Sequence, residues 1–526
     1  MLKKICSALL IFAVLVQLNF SAYAEGPKVK LGNERLLTDY KYLVEGKKVG
    51  LITNQTGVNS EGESIINVFA KEKSFKLAAL YSPEHGLDGL AKAGAYVKSY
   101  THPTLGIPVY SLYGASRMPS EDMLKNIDVL IFDIQDIGAR TYTYISTMNY
   151  AMVAAQKYNK PIIILDRPNP VGGTIVEGPM LEDKFTSFVG IDNLPMAHGM
   201  TIGELAKYFN RKINANLTVV TMEGYTRDMV FQDTELPWKM TSPNIPDLLS
   251  AFGYMATGLG EGTGIFMEDK FKWIGGKGID ENKFAELLNN ANLPGVKFLP
   301  EKKWSSGGVR LQITDFHTFN PAKTGIYALT YAHMLNNFAV PKSGAQIIMF
   351  DKVMGTDKFG QWLEQGLTPQ QIEDKYRAGL EAFKKERQKY LIYAVKGQNK
   401  PENPKPPVNR GNEIAVFVGS NEVTFDAKPY IDRSNRVMVP FRAIAEALGA
   451  TVTWNNASKT VEIYGSGISI KFTINQKEAV VSGEKKLMDT TPVIKDNRVM
   501  LPIRYVGEFL LSTVVWEKET KTVQIY

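Results

Sequence analysis

Four short, wholly apolar runs constrain the fold more than anything else in the sequence. They are Val49-Gly50-Leu51-Ile52, Leu77-Ala78-Ala79-Leu80, Val129-Leu130-Ile131-Phe132 and Ile162-Ile163-Ile164-Leu165. A strand with one wet face alternates apolar and polar residues. Runs without alternation belong to strands buried on both faces, as in a parallel sheet sandwiched between helices. Helical stretches such as Tyr144 to Lys157 lie between the runs, so residues 25–186 read as an α/β layered domain. A second region, 187–394, mixes helices with strands such as Val309 to Ile313. Thr201-Ile202-Gly203-Glu204 has the pattern of a capping box, which explains Glu204 near His198 more simply than a catalytic role does.

Residues 395–412 include KGQNKPENPKPPVNRGN, a Pro-, Asn- and Lys-rich stretch without apolar periodicity that reads as an extended linker. Beyond it, 413–526 holds an internal repeat. Arg436-Val-Met-Val-Pro-Phe-Arg442 recurs as Arg498-Val-Met-Leu-Pro-Ile-Arg504, Trp454 as Trp516, and Lys459-Thr-Val-Glu-Ile463 as Lys521-Thr-Val-Gln-Ile525, always at an offset of 62. Each unit reads as strand, short helix and β-hairpin, two halves of one small α+β domain.

The first 24 residues read as a cleavable export signal. Lys3 and Lys4 precede an apolar run from Ala8 to Val16, and Ala22-Tyr23-Ala24 is a cleavage site. That run is too short to span a bilayer, which needs about 20 residues. The expected product begins at Glu25, is secreted or wall-associated, and has no transmembrane segment. Cys6 is the only cysteine, so the exported chain is expected to lack disulfides and thiolate chemistry. The formal charge of +7 is diffuse over 526 residues and gives no footprint for nucleic acid.

In open α/β sheets, ligands bind beyond the carboxyl ends of the strands. The residues following the four runs are Asn54 and Gln55; Glu84, His85 and Gly86; Asp133, Gln135, Asp136 and Arg140; and Asp166, Arg167 and Asn169. This shared polarity at one sheet edge marks a candidate site. Glu84 is either a general acid or the cap of a following helix. Asp133, Asp136 and Arg140 form either a site or a structural ion-pair network. Asp166 to Pro170 is either a site or a rigid turn. His198 either faces a ligand or bonds its own loop, and Tyr142 and Tyr144 either stack on a sugar ring or belong to the core. No G-x-S-x-G, H-E-x-x-H or phosphate-loop motif occurs, and His85, His102, His198, His317 and His333 show no ligand spacing, so no metal and no cofactor are expected.

Ser82-Pro-Glu-His-Gly86, Phe132-Asp-Ile-Gln-Asp-Ile-Gly-Ala-Arg-Thr-Tyr-Thr-Tyr144, Leu165-Asp-Arg-Pro-Asn-Pro170, Val176-Glu-Gly-Pro179, His198-Gly-Met-Thr201, Pro237-Trp238 and Ser242-Pro-Asn-Ile-Pro246 together resemble the exo-β-N-acetylmuramidase family, in order, from about Leu31 to Tyr393. The resemblance implies a glycoside hydrolase that releases N-acetylmuramic acid from non-reducing ends of peptidoglycan fragments. It also implies a Rossmann-like subdomain, an auxiliary subdomain and a site in the cleft between them. On this reading Glu84 is the principal acid, and Asp133, Asp136, Asp166 and Glu177 are candidates for the second carboxylate. Arg140, Arg167, Asn169 and His198 hold the lactyl carboxylate, acetamido group or ring hydroxyls, with His85, Tyr142, Tyr144, Asn244 and Glu261 as further binding residues. Gly258 to Gly278 departs from the family's glycine-rich loop and is shorter.

The repeat resembles the copper amine oxidase N-terminal-like domain. No histidine follows His333, so a stalk role or a role in binding cell wall or surface is expected there, not a copper site. Two rival functions remain: a non-catalytic wall lectin using the same cleft, and an amidase or esterase of wall peptides.

Overall fold

In a computed structural model of the chain, the described residues are 29–397 and, apart from a few short stretches, 413–525. The export segment, the linker from residue 398 and Arg504 lie outside them. The chain divides into two compact units, with the change at Pro401.

The first unit is built on a seven-stranded sheet of β1 (Lys48–Thr53), β2 (Lys76–Ser82), β3 (Tyr100–Thr101), β4 (Pro108–Ser111), β5 (Val129–Asp133), β6 (Ile162–Leu165) and β7 (Leu217–Val220), in the order β3-β4-β2-β1-β5-β6-β7. All neighbours are parallel except β3 and β4. The four apolar runs are strands, and their lack of alternation has the expected cause. Leu130, Phe132, Ile162 and Ile164 enter one core cluster, while Val129, Ile131, Ile163 and Leu165 enter another on the opposite face. Helices α1 (Gly32–Thr38) and α2 (Ile65–Lys71) cover the second face, and α3 (Tyr144–Lys157) and α4 (Ile202–Ile213) the first. The sheet extends past residue 186, where the sequence places the end of the layered domain. Its last strand, β7, is short and mostly half-buried, so it carries no apolar run that betrays it.

From β1 the chain moves outward to β2 and β4, then returns to place β5 on the other side of β1. Thr53 and Asp133 are register partners at this reversal. The reversal opens a crevice at the strands' carboxyl ends.

The rest of this unit contains α5 (Leu248–Thr257), α6 (Glu281–Asn290), α7 (Pro321–Asn336) and α8 (Pro369–Arg387). They accompany an antiparallel sheet of β8 (Ile265–Glu268), β9 (Trp273–Lys277), β10 (Val296–Lys303) and β11 (Ser306–Ile313), in the order β10-β11-β9-β8. Trp273 is fully buried in that sheet. Gly275 and Gly308 make its room, since a Cβ at either would lie 2.5 or 2.3 Å from the indole. One apolar cluster runs from Phe132 and Ile164 through Phe252, Phe284 and Phe319 to Phe383, so both parts of the unit share a core.

In the second unit, the two copies of the repeat pair with each other. Val437–Pro440 runs antiparallel to Arg498–Pro502, with Val439 opposite Leu501, which are equivalent positions of the repeat. Each copy then supplies a hairpin, Thr451–Asn455 with Thr460–Gly465 and Val514–Glu517 with Thr522–Ile525. Neither copy closes a core alone, because Val439, Ile463, Leu501 and Ile525 share one cluster.

Candidate active site

The loops leaving β1, β5 and β6 are tied into one platform. Asn54 accepts from the Thr56 hydroxyl at 2.6 Å, Thr56 Oγ1 accepts from the Gln135 backbone at 3.0 Å, and the Gln135 side chain donates to Pro168 O at 2.8 Å. Beside this platform, the chain leaving β2 turns sharply at His85 and Gly86, both with positive φ (72° and 82°). For histidine that conformation is unfavourable, and its ring offsets it through a 2.7 Å bond between Nδ1 and Ala91 O. His85 is therefore a brace for the turn.

The turn aims Glu84 back across the sheet edge. The side chain is buried, at 7% exposure. Its carboxylate accepts from the Gly94 backbone at 2.8 Å and from Thr143 Oγ1 at 2.5 Å, and the Tyr113 phenol faces it. Glu84 caps no helix, since the residues after it run as loop to β3. Thr143 precedes α3 but makes no side-chain cap; its hydroxyl is spent on Glu84.

Asp136 differs from the other carboxylates. Oδ2 accepts from Gly138 N at 2.7 Å, while Oδ1 is buried without a hydrogen-bond partner among the described residues. Burial pushes its pKa up to about 7, so it holds a proton under conditions where an ordinary aspartate has lost it. The charges of Glu84, Asp136 and Glu261 all act on the Tyr254 hydroxyl, which accepts from Thr141 Oγ1 at 3.2 Å. Three carboxyl groups from three segments thus lie within electrostatic reach of one tyrosine hydroxyl. Glu261 is exposed on the loop after α5.

The other expected residues are engaged elsewhere. Asp133 and Arg167 form a buried ion pair, with Nε to Oδ1 at 2.6 Å and Nη2 to Oδ2 at 3.0 Å, and Asn33 donates to the same carboxylate. This is the structural pair, not an open acid and an open anion fork. Asp166 collects the Thr201 hydroxyl, the Gly203 and Arg167 backbones and the Tyr393 hydroxyl. It fastens the start of α4 to the end of the unit. Burial raises its pKa to about 7. Arg140 is fully buried and donates to Pro179 O, Leu194 O and Val353 O at 2.7–2.8 Å. Its full burial keeps it from a substrate carboxylate, and of its guanidinium nitrogens Nη1 and Nη2 are held by main-chain carbonyls. Asn169 shapes its own turn through Val171 N and holds Met200 O.

His198 accepts from Met200 N through Nδ1, and burial lowers its pKa to about 3, so it is neutral. Tyr142 and Tyr144 pack edge-on at 4.9 Å and both donate to Thr241. Tyr144 is fully buried, and offers no ring face to a sugar. Glu177 bonds Tyr376 on α8 and Asn320 before α7, not the partners of Glu84. Asn244 is exposed on the turn from Ser242 to Ile245. Glu204 completes the capping box and is paired with Arg227. Among the described residues, no three His, Cys, Asp or Glu side chains converge as metal ligands, and no helix is long and apolar enough to cross a membrane.

Tyr113, Thr143, Thr241 and Tyr254 belong to the site's surroundings and are not among the residues expected there from the sequence, while Gln55 is expected only as part of the polar edge after β1. Gln55 reaches Met240 O at 2.7 Å and packs on Gly89 of the loop after Glu84. Only Gln55 and Thr143 carry a signal, since they lie within the strand-end segments.

The family model for the exo-β-N-acetylmuramidase NamZ, N-terminal, matches residues 49–249, and that for the NamZ C-terminal part matches 252–393. The copper amine oxidase N-terminal domain model matches 417–525. The chain is 44% identical over 387 residues to the peptidoglycan β-N-acetylmuramidase NamZ of Bacillus subtilis (strain 168), covering 70% of this chain and 92% of that protein. Two crystal structures of DUF1343 family proteins from Bacteroides fragilis NCTC 9343 are similar, with TM-scores of 0.63 and 0.53 at 37% and 27% identity. Each match covers 70% of this chain and 99% of the other.

Proposed function

The chain belongs to the exo-β-N-acetylmuramidase NamZ family and is a glycoside hydrolase, and we propose that Glu84 and Asp136 carry its reaction on peptidoglycan fragments. The observation that supports this most is the geometry of Glu84. It is a buried carboxylate at the crevice of the sheet, fixed by Gly94 and Thr143, sharing Tyr254 with an aspartate whose second oxygen has no partner. Breaking a glycosidic bond takes a proton for the leaving oxygen and a carboxylate to support the positive anomeric carbon or to activate its attacker. Glu84 is the proposed proton donor and Asp136 the proposed second carboxylate, a role it takes once it has lost its proton, above about pH 7. The substrate is a glycan with N-acetylmuramic acid at its non-reducing end, from which the enzyme releases that sugar.

The protein acts outside the cell in this account. Lys3, Lys4, the run from Ala8 to Val16 and Ala22-Tyr23-Ala24 support export. N-terminal sequencing of the native product is expected to read from Glu25; an intact Met1 on cytoplasmic material contradicts it.

The second unit holds the enzyme to the wall. Supporting this is a groove of about 730 Å³ lined in part by Phe441, Arg442, Trp454, Asn456 and Asn497, a mixture of aromatic, amide and cationic groups suited to glycans. The cut that separates the units has to follow Lys396, since Ala394 O and Lys396 N are bonded to Arg227 and Asp228. A chain ended after Gly397 is expected to keep turnover of a chromogenic N-acetylmuramic acid glycoside and to lose retention on insoluble wall. Sugar must be the product. Peptide release, or a folded truncated chain without turnover, overturns the assignment.

A further inference from the structure

N-acetylmuramic acid differs from N-acetylglucosamine by a 3-O-lactyl group that ends in a carboxylate. An enzyme that selects it needs a cation near the reacting centre, and an arginine fork suits a carboxylate best. The two arginines nearest the strand ends do not supply one. Arg140 is fully buried on three carbonyls, and Arg167 is paired with Asp133.

Arg117 has the properties they lack. It is exposed, on the segment after β4. Its guanidinium lies 4.3 Å from the ring centroid of Phe188 and 5.2 Å from that of Tyr113. Among the described residues, no ion pair or hydrogen bond is made through that guanidinium. The two ring contacts restrain the group and leave its N–H donors for a ligand. The rings are themselves fixed, with Tyr113 and Phe188 5.7 Å apart and Tyr150 stacked on Phe188. Tyr113 links this cation to the site, because the charges of Glu84 and of Arg117 both act on its phenol. Arg117 therefore stands one tyrosine ring from Glu84. In the sugar, only the acetamido-bearing C2 separates the lactyl-bearing C3 from the anomeric carbon, so the carboxylate on C3 is carried close to the reacting centre.

We propose that Arg117 receives the lactyl carboxylate and sets the preference for N-acetylmuramic acid over neutral analogues. The proposal rests on the reading that Glu84 marks the site. Lys92 and Lys98, exposed on the loop after Glu84, are flexible point charges without such a stack.

The test compares two nitrophenyl glycosides on the full chain: N-acetylmuramic acid itself and its lactyl carboxamide, a neutral near-isostere. The readout is the ratio of kcat/KM between them. Wild type is expected to favour the acid, and Arg117→Gln is expected to lower the ratio by about 10- to 100-fold, the scale of a hydrogen-bonded charge pair. The change lies mainly in KM, and Arg117→Lys recovers part of it. A ratio unchanged in Arg117→Gln, or no preference in wild type, overturns the proposal. Glu84→Gln, assayed on natural muropeptide fragments whose leaving oxygen needs a proton, serves as the separate control. If it leaves turnover intact, the site reading fails whatever Arg117 does; if it abolishes turnover while the ratio ignores Arg117, only the role of Arg117 fails.

Discussion

Glu84→Gln is expected to lower kcat on natural muropeptide fragments by at least about 10², the lower end of what general acid–base catalysis contributes. Glutamine keeps the size of the side chain and can still accept from Gly94 N, which holds Glu84 at 2.8 Å. What it loses is a transferable proton. An alkoxide leaves poorly without one, whereas a nitrophenolate leaves unaided, so the deficit is expected to shrink on nitrophenyl glycosides if glycosidic cleavage limits the rate. Binding of the product sugar is expected to change far less, because amide and protonated acid are nearly isosteric. An equal deficit on both substrates moves Glu84 to the role of the second carboxylate. Asp136, which holds its proton to about pH 7, then becomes the acid. Activity within roughly threefold of wild type on natural fragments, far below the general-acid effect, removes Glu84 from the mechanism.

The aspartates three residues apart, Asp133 and Asp136, are expected to respond to substitution with opposite signs of stability. Asp133→Ala strands the Arg167 guanidinium at 3% exposure, and breaking a buried pair from one side costs about 3–5 kcal/mol. Asp136→Asn removes a different burden. In the unfolded chain the carboxyl ionises near 3.8, whereas in the folded chain burial raises it to about 7. Between these values the native state binds more protons than the unfolded one, so its stability falls as pH rises and levels off above about 7. The neutral amide escapes that loss. Asp136→Asn is expected to raise Tm over wild type at pH 8, to match it near pH 3.5, and to lower turnover throughout. Thermal melts at both pH values check this. A lower Tm at pH 8 places Asp136 among the structural carboxylates instead.

That contrast also marks where sequence reasoning stops. Apolar patterning locates β1, β2, β5 and β6 because burial on both faces keeps polar residues out of the middle of such strands and leaves them only at the ends. It passed over β7, whose LTVV is half-buried at the sheet edge. The repeat is visible through Arg436 to Arg442 and Arg498 to Arg504, but the pairing of Val439 with Leu501 joins strands far apart in the chain, and no local pattern records it. Among the strand-end residues, position picks out Glu84 and Asp136, the pair proposed for the reaction. It equally picked out Asp133, Asp166 and Arg140, whose partners are distant in the chain. Arg140 is held by Val353 and Asp166 by Tyr393, and no local spacing records such contacts. Residue type says that a charge sits at the edge of the sheet; only its partners say whether it is already spent. The same gap hides Arg117, which follows no apolar strand run and gains its setting from Phe188.

The most direct measurement is a crystal structure of the Glu84→Gln enzyme holding an uncleaved disaccharide with N-acetylmuramic acid at its non-reducing end. The account predicts the anomeric carbon in the crevice beyond β1, β2 and β5, with residue 84 in hydrogen-bond reach of the glycosidic oxygen and Asp136 on the other side of the sugar. The separation of the two carboxyl carbons then gives the stereochemistry, about 5–5.5 Å for retention and about 6.5–9.5 Å for inversion. A disaccharide bound with its glycosidic oxygen against Glu177 or Glu261, and residue 84 out of reach, contradicts the account.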